Sequence, residues 1–331
     1  MRKPNPFGAS RRCGPSSRSP PSRRLQSRRP KVTRPKARKR RSRSSSLPLA
    51  MSATQATERK ITTAPVLEVF ASIQGEGLYV GEPQVFVRLF GCPFRCRWCD
   101  TPGSLALPEK PRARLDLSGG RRHADGWASP FQAATWIASA ESGSRRTVSV
   151  TGGEPLQWPG FVRSLRRFVA PRRVHLETAG GHPRALAQVL PAVDHVSLDL
   201  KLSEDLDPPV PLPVEEPEQG IVSTLDAPPV GRLEWAQARA ACLFSLRGHD
   251  ACAKIPFSGN HPASRYAPLL DDVAGIAAEM PVVLQPITAL PGAEGVIAPG
   301  RELFDELTEM ALSRGLHVRL LPQVHRSLHL P

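Results

Sequence analysis

The stretch Val85-Phe86-Val87-Arg88-Leu89-Phe90-Gly91-Cys92-Pro93-Phe94-Arg95-Cys96-Arg97-Trp98-Cys99-Asp100-Thr101 runs from a mostly apolar segment straight into a loop holding three cysteines. A short apolar run of this kind, closed by Gly and Pro, reads as a buried strand. Six more such runs follow: Val148–Val150, Val174–Leu176, Val196–Leu200, Ala253–Ile255, Val282–Leu284 and Val318–Leu321. Helical patterns lie between most of them. One starts at Ser129-Pro130, an N-cap followed by proline at the first helical position, and passes through Trp136 and Ile137. Others are Phe161–Val169, Arg184–Leu190, Leu233–Leu246, Leu269–Ala278 and Glu302–Arg314. Strands separated by helices imply right-handed parallel crossovers, hence an α/β barrel or open sheet.

The residues after each run sharpen this. Thr151-Gly152-Gly153-Glu154-Pro155 follows the second, and Glu177-Thr178-Ala179-Gly180-Gly181 the third. Asp199-Leu200-Lys201 ends the fourth, Pro256-Phe257-Ser258 the fifth, Gln285-Pro286 the sixth and Pro322-Gln323-Val324-His325 the seventh. Parallel α/β folds place their sites at the carboxyl ends of strands, so seven polar ends in register point to one active-site mouth.

Charge is unevenly spread. The 331 residues carry a formal +15, but residues 1–50 hold 17 Lys and Arg and no acid. The remainder has 28 basic and 30 acidic residues, which argues against nucleic acid as the partner of the body of the chain. Residues 1–60 form an Arg/Ser/Pro-rich extension too poor in apolar residues to fold, and read as disordered. Translation starting at Met51 is the favoured account; a non-specific polyanion-binding tail and a targeting segment are the alternatives. Residues 61–331 are then one catalytic domain, with irregular insertions near 105–127 and 204–230. No run of 18 apolar residues exists, so no membrane helix is expected. Clustered thiols, with Cys13, Cys242 and Cys252 scattered singly, suggest a reducing cytoplasm and a metal.

Cys92, Cys96 and Cys99 in a CxxxCxxC array are thiolates spaced to wrap one metal centre from one loop. Structural zinc and unliganded cysteines are the competing readings. Zinc wants four protein ligands, and no second knuckle is at hand. Three local thiolates suggest instead a centre with one open position.

CxxxCxxC after the first strand with Trp98 before the last cysteine, followed by Gly152-Gly153-Glu154-Pro155, resembles the radical S-adenosylmethionine (SAM) superfamily. Within it, Phe70–Gly77 (FASIQGEG), Phe86-Val87-Arg88, Cys99-Asp100-Thr101, Asp199-x-Lys201, Leu284-Gln285-Pro286 and Leu321–His325 resemble the 7-carboxy-7-deazaguanine synthase family, from about Val66 to Pro331. The resemblance implies a partial (β/α) barrel of six to seven parallel strands. It implies a lyase that contracts the ring of 6-carboxy-5,6,7,8-tetrahydropterin to 7-carboxy-7-deazaguanine with loss of ammonia, in queuosine and 7-deazapurine biosynthesis. Reductive cleavage of SAM would give a 5′-deoxyadenosyl radical that takes a hydrogen atom from substrate, with SAM regenerated.

By the same match, Cys92, Cys96 and Cys99 hold a [4Fe-4S] cluster. Trp98, Cys99, Asp100, Gly153, Glu154, Thr178, Asp199, Lys201 and Gln285 bind SAM, Glu154 by accepting from its ammonium. Ile73, Gln74, Gly75, Arg88, Thr151 and Pro331 bind the pterin, Arg88 as a carboxylate clamp and Gln74 through its side-chain amide. Thr101 is a magnesium ligand; His325 is an additional candidate for substrate contact. The implied partners are the pterin, a reductant such as flavodoxin or ferredoxin, and a second copy in a homodimer. Two alternatives stay open: another radical SAM enzyme such as a glycyl-radical activase, or a basic, zinc-binding nucleic-acid-binding protein.

Overall fold

The computed structural model describes residues 63–212, 226–288 and 295–330. The N-terminal extension, the middle of the second expected insertion and Pro331 lie outside the described residues. Among the described residues the strands are β1 (Ala64–Ile73), β2 (Pro83–Leu89), β3 (Arg95–Cys96), β4 (Arg112–Leu117), β5 (Gly120–Asp125), β6 (Trp127–Ala128), β7 (Thr147–Gly152), β8 (Val174–Thr178), β9 (His195–Asp199), β10 (Leu206–Asp207), β11 (Ala251–Phe257), β12 (Val282–Pro286) and β13 (Val318–Leu320). The helices are α1 (Pro130–Ala140), α2 (Pro159–Val169), α3 (Pro183–Val189), α4 (Gly231–Ser245), α5 (Ala267–Ile276), α6 (Arg301–Leu312) and α7 (Val324–Ser327). None is long and apolar enough to cross a membrane.

Seven strands run parallel in the order β2-β7-β8-β9-β11-β12-β13, as the seven apolar runs implied. The order is monotonic because each crossover carries the chain one strand onward. The described pairings leave β13 and β5 as edges, so no strand pairing closes the sheet into a ring.

Period-two alternation gives this sheet two different faces. Val148 and Val150 on β7, Val174 and Leu176 on β8, Val196 and Leu198 on β9, and Ala253 and Ile255 on β11 are all buried in one apolar core. Their strand neighbours Ser149, Thr151, His175, Ser197 and Lys254 are buried as well, on the other face, and are polar. Burying such groups is tolerable only where they satisfy one another. His175 contacts the Ser197 hydroxyl at 2.9 Å, and burial holds its imidazole neutral, well below the ordinary range. The helices cover the apolar face. Helix α1 begins as expected, with the Ser129 hydroxyl accepting from the Gln132 N–H and the Gln132 side chain accepting from the Ser129 N–H.

Two departures concern strands that the apolar-run reading passes over. β1 is antiparallel to β2. The supposedly irregular 105–127 insertion contains the β4–β5 hairpin, closed by Ser118-Gly119 and added beside β1. Its sequence is dominated by Arg and Asp, which hides the alternation that buries Ala113 and Leu115. The described part of 204–230 is not a free loop either. Residues of β10 pair with β3, Leu206 opposite Cys96 and Asp207 opposite Arg95, and the Val210 N–H donates to the Pro93 carbonyl at 2.9 Å. This segment clips the cysteine loop in place.

Candidate active site

One cavity opens at the carboxyl ends of the parallel strands. It is lined by Cys92, Cys96 and Cys99 together with Ile73, Gln74, Gly75, Arg88, Trp98, Asp100, Thr101, Thr151, Gly153, Thr178, Asp199, Lys201, Gln285 and His325. The fold therefore brings together residues from seven segments of sequence. Two expected site residues are missing from this lining: Glu154, treated below, and Pro331, which lies outside the described residues.

Cys92 follows β2, and the chain then turns back through β3. Burial pushes the Cys96 thiol up to about 12 and raises Cys92 and Cys99 too, so loading a metal centre must release protons. The three thiols border one cavity, a donor set that suits a cluster in which each binds a different iron. The Trp98 indole N–H and the Gln285 side-chain oxygen are buried polar atoms with no protein partner. Both line this cavity and fit a polar cofactor there.

The Gly152-Gly153 turn is forced by close backbone approach. Gly152 has φ +134, and a side chain there would run into the Leu89 backbone. A Cβ at Gly153 would come 2.6 Å from the Gly91 carbonyl oxygen. Glu154 is held from within the protein. Its side chain is fully buried, accepting from Leu156 N–H at 3.0 Å, Ala179 N–H at 2.9 Å and Thr178 hydroxyl at 2.7 Å. It ties the glycine turn to the end of β8, its three donors leaving one acceptor site of the carboxylate uncommitted. Burial raises its pKa above the ordinary carboxylate value, against the pull of these donors.

Gln74, which borders the cavity, is held in the same way. Its side chain is 2% exposed, and its oxygen accepts from the Glu76 N–H at 3.0 Å while its amide donates to Glu177 Oε1 at 2.7 Å. The amide thereby sets Glu177. Glu177 also accepts from Ser149 and Thr151, at 3.2 and 3.0 Å, and lines the cavity. Arg88 does line the cavity. Its Nε donates to Glu68 Oε1 at 2.7 Å, the other Glu68 oxygen pairs with Arg114, and its Nη1 donates to the Thr101 hydroxyl at 3.3 Å.

On the opposite wall Lys201 donates to Asp199 at 2.5 Å, with its ammonium 5.3 Å from the Trp98 ring centre. Burial disfavours both charges, but the partnership with Lys201 and Lys254 leaves Asp199 below its ordinary value, and Asp199 holds Lys201 above. Lys254, unread in the sequence, donates to Glu76 Oε2 at 2.5 Å and lies 3.0 Å from Asp199 Oδ1. The C-terminal segment straps this wall. The Val324 N–H donates to the Gly75 carbonyl, Gln323 donates to Glu76 at 2.7 Å and to Asp100 at 3.1 Å, and His325 packs on Gly75 so closely that no side chain would fit there. Glu177 and Gln323 lie in polar strand ends that the sequence marks; strand alternation was the available signal for Lys254, and nothing local marked Glu68.

The Radical SAM superfamily profile matches residues 87–213. A 7-carboxy-7-deazaguanine synthase of Methanothermobacter thermautotrophicus is 30% identical over 272 residues, covering 81% of this chain and 98% of that protein. One of Geobacter sulfurreducens is 31% identical over 276 residues, covering 80% and 96%. Among solved structures, QueE from Escherichia coli aligns with a TM-score of 0.47 at 19% identity, covering 81% of this chain and 98% of that one. With relatives matched along nearly their whole length, and with cysteine and glycine motifs meeting at one cavity, the chain belongs to the 7-carboxy-7-deazaguanine synthase family of radical SAM enzymes.

Proposed function

We propose that this chain converts 6-carboxy-5,6,7,8-tetrahydropterin to 7-carboxy-7-deazaguanine and ammonia, in queuosine and 7-deazapurine biosynthesis. The observation that carries the reading is the convergence on one cavity of three thiols, Arg88 and a Glu177 set by three donors. Cys92, Cys96 and Cys99 would hold a [4Fe-4S] cluster; with SAM it supplies one-electron reduction and hydrogen-atom abstraction.

The chain's own residues then bind and orient. Arg88, held by Glu68, meets the substrate carboxylate. Glu177 faces the donor-rich edge of the pterin, with Thr151 beside it, and the Ile73–Gly75 backbone supplies the rest of the frame; Pro331 is assigned to the substrate as well. Trp98, Asp100, Gly153, Asp199, Lys201 and Gln285 form the SAM wall, with Thr178 supporting it through Glu154. The Thr101 hydroxyl donates to Asp100 Oδ1 at 3.0 Å. Together with substrate oxygens it offers the hard ligands that Mg2+ takes. Catalysis resides in residues 61–331, with the basic 1–60 extension dispensable. A flavodoxin- or ferredoxin-type reductant, a homodimer and a cytoplasmic location complete the reading.

The test is an anaerobic assay with SAM, Mg2+, dithionite and the carboxytetrahydropterin, following the deazaguanine by mass spectrometry. The reconstituted protein should be brown, with four irons per chain. Cys96→Ala should abolish turnover, and removal of residues 1–50 should leave kcat/KM within twofold. A colourless, zinc-loaded and inactive protein would overturn the proposal.

A further inference from the structure

We propose that Lys254 is a positioning residue that couples the SAM wall to the pterin loop, so that each ligand tightens the binding of the other. This rests on the reading of the two subsites given above. Lys254 stands on β11 directly across from Asp199 on β9. It is 3% exposed, and its ammonium is shared by two carboxylates from different segments: Glu76, which closes the Ile73–Gly75 loop, and Asp199, which pairs with Lys201 under Trp98. All three lysine–carboxylate partners border the same cavity.

A buried ammonium between two carboxylates is a movable charge, because little solvent screens a change at either end. A cationic ligand group accepted at Asp199 adds a like charge beside Lys254 and takes up part of the carboxylate that held it. Lys254 then bears more fully on Glu76. Glu76 is itself held by Gln323, and it receives the chain from the loop that frames the substrate. The loop firms before substrate arrives. Linkage makes the effect reciprocal, so substrate tightens SAM by the same factor.

The experiment is anaerobic equilibrium dialysis of SAM against the full-length, cluster-reconstituted chain without reductant, with and without saturating 6-carboxytetrahydropterin. For the wild type, substrate should lower the SAM Kd about tenfold, within the usual range of coupling between sites. In Lys254→Gln and in Glu76→Gln the ratio should fall to within twofold of one, and the double variant should lose nothing further. Lys254→Arg, which keeps the charge, should retain most of the coupling. A ratio in Glu76→Gln or Lys254→Gln equal to that of the wild type overturns the proposal, as does a wild-type ratio of one. A reconstituted wild type that binds no SAM overturns the subsite reading on which the proposal stands.

Discussion

Glu154→Gln separates a ligand contact from a structural tie. In the folded protein Glu154 Oε1 accepts from the Leu156 N–H and the Thr178 hydroxyl, and Oε2 from the Ala179 N–H. A glutamine in the same pose keeps one oxygen for the first two donors and turns an NH2 toward the third. That removes one hydrogen bond to a carboxylate and leaves the half-buried Ala179 N–H facing another donor. Each of these effects costs about 1.5–3 kcal/mol, partly relieved by a shift of the turn. A loss of about 3 kcal/mol is therefore expected, equivalent to a fall in Tm of roughly 6–12 °C for a domain of this size. Urea unfolding of the cluster-free chain, followed by circular dichroism, measures it without interference from cluster loss. SAM affinity of the reconstituted variant should fall less than tenfold, since the turn still forms. Unchanged stability together with a hundredfold loss of SAM binding would refute the reasoning and restore Glu154 as a direct ligand contact.

Three further outcomes follow from the geometry. Glu68→Gln, which loosens the ion pair at Arg88 Nε while leaving the arginine itself, should raise KM for the pterin about tenfold with kcat within threefold; steady-state kinetics decide it. Burial alone would raise the Glu76 carboxyl, but the Lys254 ammonium and hydrogen bonds from Gln323 and Gln285 outweigh it, bringing the group from 4.5 down to about 2. A depressed carboxyl contributes stability that is present above pH 4.5 and lost as pH falls toward 2, here about 3 kcal/mol. Between pH 5 and pH 2.5 the wild type should therefore lose more unfolding free energy than Glu76→Gln, and parallel losses in denaturant titrations would contradict the pairing. Finally, Gly153→Ala should disturb the turn against Gly91 and lower SAM affinity at least tenfold, with equilibrium dialysis as the check.

Much of the architecture was legible because parallel strands buried on one face read as short Val/Ile/Leu runs, and each crossover must be long enough to form a helix. The β4–β5 hairpin escaped because β5 is an edge strand that carries charge, and in the RARLDL of β4 Arg112, Arg114 and Asp116 alternate with the core-facing Ala113, Leu115 and Leu117. The cysteine and glycine motifs were legible because their chemistry is local: three thiols on one loop, and two residues without side chains where Leu89 and Gly91 press close.

Side-chain direction was not local. Glu154 and Gln74 sit in the expected motifs, and tertiary partners fix both: backbone N–H groups and the Thr178 hydroxyl for Glu154, Glu177 for Gln74. Lys254 sits in a strand that looked merely apolar, and Glu68 meets the cavity through its ion pair with Arg88. The sequence by itself determined the class of fold, the metal-binding loop and the family, since these depend on patterns along the chain. Which polar groups border the cavity, and which partners hold them, was decided only by the tertiary structure. That choice depends on partners 20 to 250 residues away, and on the free energy that obliges every buried polar group to find one.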